Sequence, residues 1–178
     1  MSKKRRIILS AKDINLAIQR IALQILEKNH DGGNLAIVGI YSCGVNVAQK
    51  IHEFIEKHNG SRIPFGSLDI NLYRDDWSLI SQKPIVKTTD IPFDVDNINL
   101  ILVDDVIFTG RTIRAAMDAV MDYGRPNTIQ LAVLVDRGGR ELPIQPDFTG
   151  VDVAVQADER ITVVFEQNNK DGEVYIES

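Results

Sequence analysis

The segment Leu100–Gly124 constrains the fold of this chain more than any other stretch of its 178 residues. It opens with the apolar run Leu100–Val103, continues with the acidic pair Asp104 and Asp105, and passes through a short loop into a helical pattern that stops at Gly124. An apolar run without alternation is typical of a strand that is covered on both faces, as in a parallel sheet. The segment therefore predicts a strand, a loop and a helix of an α/β protein.

The loop between this strand and this helix, Phe108–Thr112, has the composition of a phosphate-binding site. Ligand crevices of open α/β sheets lie at the carboxyl ends of strands, and a helix that begins near Thr112 directs free N–H groups and partial positive charge into the crevice. Thr109 adds a hydroxyl donor, and Gly110 gives room for close backbone approach. The neighbouring carboxylates repel phosphate, but they suit ribose hydroxyls or a magnesium ion. A phosphorylated sugar satisfies both halves of the pattern.

Length and composition limit the classes of protein that remain. A chain of 178 residues predicts a single domain over residues 1–178. No apolar run is long enough to span a membrane and the first residues do not resemble a signal peptide, so a cytoplasmic protein is expected. The single Cys43 excludes an internal disulfide and a cysteine metal cage. The formal net charge of −5 argues against strong nonspecific nucleic-acid binding.

Hydrophobic periodicity predicts the other elements. Ser10 and Asp13 resemble a capping box, and they precede an amphipathic helix that ends before Asn29. A second strand–loop–helix unit follows, with a strand over Leu35–Ile40 and a helix over Val45–Lys57. Further short strands are predicted over Arg5–Leu9, Ser67–Leu72, Thr128–Val135, Val151–Gln156, Ile161–Glu166 and Val174–Glu177, the last two joined by a hairpin connection at Asn168–Gly172.

Three segments together resemble a known family. The sequence VDDVIFTGRT (Val103–Thr112) resembles the phosphoribosyl diphosphate (PRPP) binding motif of type I phosphoribosyltransferases. The segments Leu131–Ile144 and Asp69–Asp76 narrow the resemblance to the bifunctional pyrimidine-operon attenuation regulators and uracil phosphoribosyltransferases, over nearly the whole chain. The resemblance implies a type I phosphoribosyltransferase-like α/β fold, with a mostly parallel central sheet flanked by helices, a small hood, and a flexible lid loop over Trp77–Asp90. It also implies a homodimer or a larger even assembly.

The resemblance also implies a reaction, uracil and PRPP giving UMP and pyrophosphate, with Mg²⁺ bound mainly through PRPP and no separate protein metal site. The residues matching the PRPP motif are Val103, Asp104, Asp105, Val106, Phe108, Thr109, Gly110, Arg111 and Thr112. Val135, Asp136 and Arg137 are the candidate uracil-binding residues, and Asp104, Asp105 and Arg74 are the candidate catalytic residues. Purine-base members of the superfamily usually carry a Glu-Asp pair in place of Asp104 and Asp105.

The candidate pyrophosphate loop consists of Tyr41, Ser42, Cys43 and Gly44, where the resembled family usually reads Lys-Thr-Arg-Gly. The departure removes two cations from the site that is expected to hold the most negative group. Backbone donors and Ser42 remain, and we expect Arg74 to neutralise the pyrophosphate. The alternative for Arg74 is an ion pair with Asp75 or Asp76. Cys43 is interpreted as a packing residue, because the chemistry needs no nucleophile.

Binding of a hairpin in the pyrimidine leader RNA is the second activity that the resemblance implies. Arg20, Lys28 and Arg140 match basic positions and are candidate RNA contacts. Other expected positions have lost a charge or a donor: Leu23, Gly139, Gln145 and Val151 replace His, His, Arg and Lys. Because each lost contact weakens binding, the sequence predicts weak or no binding of this RNA.

Four interpretations remain open on the sequence alone. The first is the uracil phosphoribosyltransferase, and the second is a non-catalytic UMP- or PRPP-sensing regulator that binds RNA, supported by the altered pyrophosphate loop. The third is a phosphoribosyltransferase for another base, such as a purine. The fourth is a doubly wound domain without activity, in which Asp104 and Asp105 are only cap or turn residues.

Overall fold

The computed structural model describes residues 5–30, 34–76, 87–166 and 172–178. The strands are β1 (Arg5–Leu9), β2 (Leu35–Ile40), β3 (Phe65–Leu68), β4 (Asn99–Ile107), β5 (Thr128–Asp136), β6 (Phe148–Asp152), β7 (Arg160–Phe165) and β8 (Gly172–Glu177). The helices are α1 (Ala11–Lys28), α2 (Cys43–Asn59) and α3 (Arg111–Met121), and a short 3₁₀ turn covers Asn71–Tyr73. Within these ranges no helix is both long and apolar enough to cross a bilayer.

The larger sheet has the strand order β3-β2-β4-β5-β6, and all of its neighbouring strands are parallel. Its central strand β4 alternates between two apolar cores. Ile101 and Val103 face α1 and α2, whereas Leu100 and Leu102 face α3, and all four are fully buried. A strand that is covered on both faces requires an unbroken apolar run, which is what the sequence has here. The predicted α/β class with a mostly parallel central sheet is confirmed.

The smaller sheet is antiparallel, in the order β1-β8-β7. Strand β1, a strand that the sequence predicts, lies at the edge of this sheet, and the buried residues Val174 and Ile176 of the middle strand join the core formed by α1 and α2. This small sheet corresponds to the hood that the family resemblance implies. The hairpin connection between β7 and β8 and residues 77–86 of the expected lid lie outside the described residues.

One boundary error changes the geometry of the site. The sequence predicts that Asp104 and Asp105 follow the strand, but β4 extends to Ile107 and includes them. Strand β4 continues because β5 pairs with it as far as Ile107, whereas the pairing with β2 stops at Val103. The acidic pair therefore lies where β4 still has one strand neighbour and has lost the other.

Other boundaries are also corrected. The strand predicted over Ser67–Leu72 is Phe65–Leu68, because the carboxylate of Asp69 accepts the backbone N–H of Asn71 at 2.9 Å and turns the chain into the 3₁₀ turn. The strand predicted over Val151–Gln156 is Phe148–Asp152, since Phe148 is buried and pairs with Ala132 of β5. Helix α2 begins at Cys43, and α3 ends at Met121.

Contact between Gly39 and α2 fixes the first turn of that helix against β2. A Cβ atom at Gly39 would lie 2.7 Å from Val45 Cα and 2.8 Å from Ala48 Cβ. We expect Gly39→Ala to lower the free energy of unfolding by about 1–3 kcal/mol, because the backbone of α2 must shift. Thermal unfolding measures this, with Glu53→Ala on the exposed face of α2 as the control. An unchanged Tm for Gly39→Ala would contradict the close packing.

Candidate active site

A cavity of about 460 Å³ lies at the carboxyl end of β4. Its lining combines Asp104 and the stretch 106–113 with residues 74–76, which come from the chain after β3. The cavity thus brings together most of the residues matched to the PRPP motif and the candidate Arg74. Val103 is fully buried in the core below, and the partly buried Asp105 is not among the residues that line the cavity.

The start of α3 forms one end of the cavity. The N-cap residue Gly110 has a φ of +92°, which an L side chain rarely adopts, and it supplies no side chain to cap the helix. Thr109 Oγ1 accepts the N–H of Arg111 at 3.3 Å. Because no N-cap side chain covers the first turn, its remaining N–H groups and its partial positive charge are available to an anion in the cavity.

The side chain of Arg111 points to the rim of this cavity. Its Nε donates to Glu141 at 2.7 Å, and its Nη1 donates to Asp75 at 2.5 Å. The guanidinium therefore joins the start of α3 to the segment after β5 and to the chain after β3. Both carboxylates already pair with its charge, so an anion in the cavity would have to compete with them for the guanidinium.

The acidic pair is built asymmetrically. The Asp104 side chain is 5% exposed, and its Oδ1 accepts the backbone N–H of Asp105 at 2.9 Å. Gly44 closes over it, since a Cβ at that position would lie 3.0 Å from Asp104 Oδ1 and 2.9 Å from Val103 O. Burial and the neighbouring charge of Asp105 raise the pKa of Asp104 well above its ordinary value. The site therefore holds a carboxyl that is costly to ionise until a ligand supplies hydrogen-bond donors.

The candidate pyrophosphate loop lies on the side of β4 where β2 has ended. Cys43 and Gly44 belong to the first turn of α2 rather than to a loop, and the peptide bond between Tyr41 and Ser42 is cis. Burial, with the charge of Asp105, raises the pKa of the Cys43 thiol, which donates to Val163 O at 3.4 Å. Such a thiol is neutral and packed, so its environment does not suit a nucleophile.

Sequence reasoning missed one cation beside this loop. Lys87 Nζ lies 4.8 Å from the centroid of the Tyr41 ring. The available signal was an isolated lysine at the end of a long polar stretch, and no spacing rule connects it with Tyr41. Only the return of the chain to the end of β3 brings the two residues together.

Arg74 adopts the alternative that the sequence left open. It forms a bidentate pair with Asp76, with both N–O distances at 2.8 Å. Its hydrogen bonds lower the pKa of the Asp76 carboxyl. Arg74 still lines the cavity, so a phosphate group would compete with Asp76 for the guanidinium.

The candidate uracil-binding residues separate into two groups. Val135 is fully buried in the core under α1 and α2, so only its backbone is available to a base. Burial alone would raise the pKa of Asp136, but hydrogen bonds from Arg140 and from the Gly138 N–H outweigh it and lower that pKa. Arg137 stacks on the ring of Phe108 at 3.8 Å, and its Nε is buried without a hydrogen-bond partner. An unpaired buried donor is a group that a ligand can satisfy.

The three candidate RNA contacts all have partners within the chain. Arg140 donates to Asp136, to Phe108 O and to Ile144 O, and only 12% of its side chain is exposed. Arg20 donates to Gly150 O, and Lys28 forms an exposed pair with Asp147. Arg140 therefore holds together the turn after β5, and the remaining candidates, Arg20 and Lys28, are exposed on α1.

The fold and this site define a phosphoribosyltransferase-type domain. The phosphoribosyl transferase domain family matches residues 5–168, which is most of the chain. Solved structures agree: hypoxanthine phosphoribosyltransferase from Trypanosoma cruzi has a TM-score of 0.72 at 14% identity, over 97% of this chain and 95% of that one. A hypoxanthine-guanine phosphoribosyltransferase from Bacillus anthracis has a TM-score of 0.69 at 18% identity, over 90% and 88%. At these identities the likeness concerns the fold alone.

Curated relatives narrow the class. The bifunctional protein PyrR of Caldicellulosiruptor bescii is 50% identical over 98% of this chain and 96% of its own length. The bifunctional protein PyrR of Geobacter sulfurreducens is 48% identical over 96% and 97%. The chain belongs to the PyrR family, and the resemblance seen in the sequence is confirmed.

The raised pKa of Asp104 has a consequence for stability. Its folded form binds the proton more tightly than the unfolded chain, so the free energy of unfolding falls as pH rises from the unfolded pKa, about 3.9, towards the folded value. Asp104→Asn removes this penalty and keeps the acceptor for the Asp105 N–H. We expect a higher Tm than wild type at pH 8 and a smaller difference near pH 3.5. Asp118→Asn, on the exposed face of α3, is the control, and a Tm difference independent of pH would contradict the burial argument.

Proposed function

We propose that this chain transfers the phosphoribosyl group of PRPP to uracil, giving UMP and pyrophosphate. The observation that carries the proposal is the buried Asp104, which lines one cavity together with the uncapped start of α3. In the reaction, a bond forms between N1 of uracil and the anomeric carbon. The bond from that carbon to the pyrophosphate oxygen breaks, the electron pair leaves with pyrophosphate, and the N1 proton is released.

The start of α3 would hold the 5-phosphate. The N–H groups of its first turn, with the hydroxyls of Thr109 and Thr112, supply donors at a place where the helix dipole favours an anion. The phosphate takes no part in the bond changes. Its binding energy positions the anomeric carbon between the base and the departing pyrophosphate.

Asp104 and Asp105 would accept hydrogen bonds from the 2- and 3-hydroxyls of the ribose. These donors replace the water that burial removes, so they favour the ionised form of Asp104. The resulting negative charge also stabilises the positive charge that develops at the anomeric carbon in the transition state. Binding of PRPP would thus favour ionisation of Asp104, which supplies the negative charge that the transition state needs.

The residues present fit a magnesium ion that is carried by the substrate. Among the described residues no three His, Cys, Asp or Glu side chains converge into a metal cage. The carboxylates that face the cavity offer single oxygen contacts instead, as Mg²⁺ bound to phosphate oxygens usually requires. The ion would neutralise pyrophosphate charge, while Asp104, Asp105 and the start of α3 bind and orient the sugar.

The residues after β5 support a pyrimidine as the acceptor base. The buried Nε of Arg137 and the backbone at Asp136 offer directional partners for the edge of a base, beside Phe108. Uracil presents two carbonyl acceptors and N–H donors to such groups. The relatives at about 50% identity are named bifunctional protein PyrR, a name that suits a pyrimidine. The purine enzymes share only the fold with this chain, so they do not argue for a purine.

The second candidate function is that of a nucleotide-sensing RNA regulator, and the bifunctional name of the relatives favours considering it. We propose that RNA binding is weak or lost in this chain. Arg140 is occupied within the fold, Lys28 is paired with Asp147, and Leu23 is an exposed apolar side chain on the same helix. As for the family, we expect a homodimer or a larger even assembly.

The acidic pair provides the test of the enzyme. We expect Asp104→Asn combined with Asp105→Asn to lower UMP formation by at least roughly 100-fold, because the charge facing the anomeric carbon is lost. UMP formation is measured from uracil and PRPP with Mg²⁺, with hypoxanthine, guanine and adenine in parallel. The matched control, Asp94→Asn with Asp158→Asn, removes the same charge elsewhere. Undiminished turnover in a folded double mutant would remove the assigned role, and turnover of a purine would reassign the base.

RNA binding is tested separately. We expect the hairpin of a pyrimidine leader to bind at about micromolar affinity or weaker in the presence of UMP, within the range of nonspecific binding. Filter binding measures it, with a scrambled hairpin of the same length as the control. Nanomolar binding of the leader hairpin alone would show that the regulator has been retained.

A further inference from the structure

We propose that Lys87, seated on the ring of Tyr41, is the cation of the pyrophosphate subsite in this chain. The inference rests on the proposed function, since it concerns the leaving group of the same reaction. It assigns a binding role to a lysine that the PRPP-motif residues do not include, and it gives Tyr41 the role of positioning that lysine.

The subsite needs a cation that its own loop does not contain. Residues 41–44 read Tyr-Ser-Cys-Gly and carry no positive charge. Asp104 and Asp105 lie beside the start of α2, as the contact of Gly44 with Asp104 shows. The N-terminus of α2 offers about half a positive charge. Even with the magnesium ion that the substrate carries, this is a small charge for a pyrophosphate that lies next to two carboxylates.

Lys87 brings a full charge to this place. Its Nζ lies 4.8 Å from the centroid of the Tyr41 ring, which is cation–π distance. Its field also reaches the next residues of the loop. Burial raises the pKa of the Cys43 thiol, and the charge of Lys87 is one of the influences that oppose this rise. The ammonium group is therefore close enough to the start of α2 to act on an anion bound there.

A buried carboxylate fixes the backbone of Lys87. Asp69 is 9% exposed, and its Oδ2 accepts the N–H of Lys87 at 2.5 Å, while its Oδ1 accepts the N–H of Asn71. The backbone N–H of Asp69 donates to Thr89 Oγ1 at 3.0 Å, and Asp90 and Ser67 exchange two backbone hydrogen bonds of 2.8 Å. These contacts attach residues 87–90 to the end of β3.

The same strand end holds Tyr41. The N–H of Tyr41 donates to Leu68 O at 2.9 Å, one residue before Asp69. The lysine and its aromatic partner are therefore attached to one rigid edge of the parallel sheet, within the described residues. Backbone hydrogen bonds fix the main chains of the two residues relative to each other, and the contact with the Tyr41 ring holds the ammonium group beside the loop.

The type of partner distinguishes Lys87 from the arginines that line the cavity. Arg74 is paired with Asp76, and Arg111 is paired with Asp75 and Glu141. A phosphate must compete with those carboxylates. The Tyr41 ring attracts an ammonium group without carrying an opposite net charge, so Lys87 keeps its charge for an anion. Tyr41 thus brings the ammonium group of Lys87 to a loop that has no cationic side chain of its own.

The test measures ligand binding by titration calorimetry on the full chain. The probes are inorganic pyrophosphate with Mg²⁺, PRPP with Mg²⁺, and UMP. We expect Lys87→Ala to weaken pyrophosphate and PRPP by roughly tenfold or more, as for loss of one charged hydrogen bond, and to change UMP by less than about twofold. Lys87→Arg should restore most of the pyrophosphate affinity. Because Lys87 is exposed, the alanine variant should fold, and unchanged UMP binding would confirm it.

Variants at Tyr41 test whether its ring positions Lys87. Tyr41→Phe keeps the ring and should keep pyrophosphate affinity, whereas Tyr41→Leu should weaken it by roughly threefold, the value of an exposed cation–π contact. Lys57→Ala, at the far end of α2 and about 21 Å from Cys43 along the helix, removes one charge as the matched control and should change nothing.

The outcomes separate this inference from the proposed function. If wild type binds UMP and pyrophosphate but Lys87→Ala binds pyrophosphate equally well, the role of Lys87 is wrong and the transferase stands. If wild type binds none of the three ligands, the transferase itself fails. Equal weakening of UMP and pyrophosphate would show a general structural effect and would also overturn the inference.

Discussion

The hydrogen bonds that pair β4 with β5 beyond the end of β2 are the constraint on which the rest of the site depends. Main-chain pairing with β5 carries β4 two residues past the acidic pair, to Ile107, whereas its pairing with β2 stops at Val103. The vacated side is filled by the first turn of α2, with Gly44 against Asp104. Because β2 no longer pairs with β4 at Asp104, the start of α2 can approach the strand there. The contact with Gly44 then buries the Asp104 carboxyl group.

Much of this architecture follows from local sequence. The apolar run of β4, the capping box at Ser10 and the amphipathic pattern of α1 state their structures directly, because burial and capping are short-range requirements. The position of Asp104 and Asp105 within the strand does not follow. Strand length at that point is decided by pairing with β5, which lies more than twenty residues away, and no property of the two aspartates reports it.

The site shows the same limit. The sequence places the segment Thr109–Thr112 correctly at the start of α3, since a glycine between hydroxyl residues before a helical pattern is a local signal. It does not reveal that Arg140 serves the turn after β5, or that Lys87 meets Tyr41. Both contacts need the chain to return from a distance. Charged side chains in particular are ambiguous in a sequence, because an arginine that stabilises a turn cannot be distinguished there from one that binds a ligand.

The close packing of Gly39 on α2 makes the position of the main-chain donors at the start of α2 less dependent on the side chains of the preceding loop. Gly39 packs against Val45 and Ala48, so the first turns of α2 are held on β2 by a contact that does not involve the side chains at 41–43. Substitutions there alter the charge and shape of the loop while its main-chain donors stay in place. Under the proposed function, a change to Tyr-Ser-Cys leaves the main-chain donors of α2 for the anion, and a cation from the chain that follows a neighbouring strand completes the site.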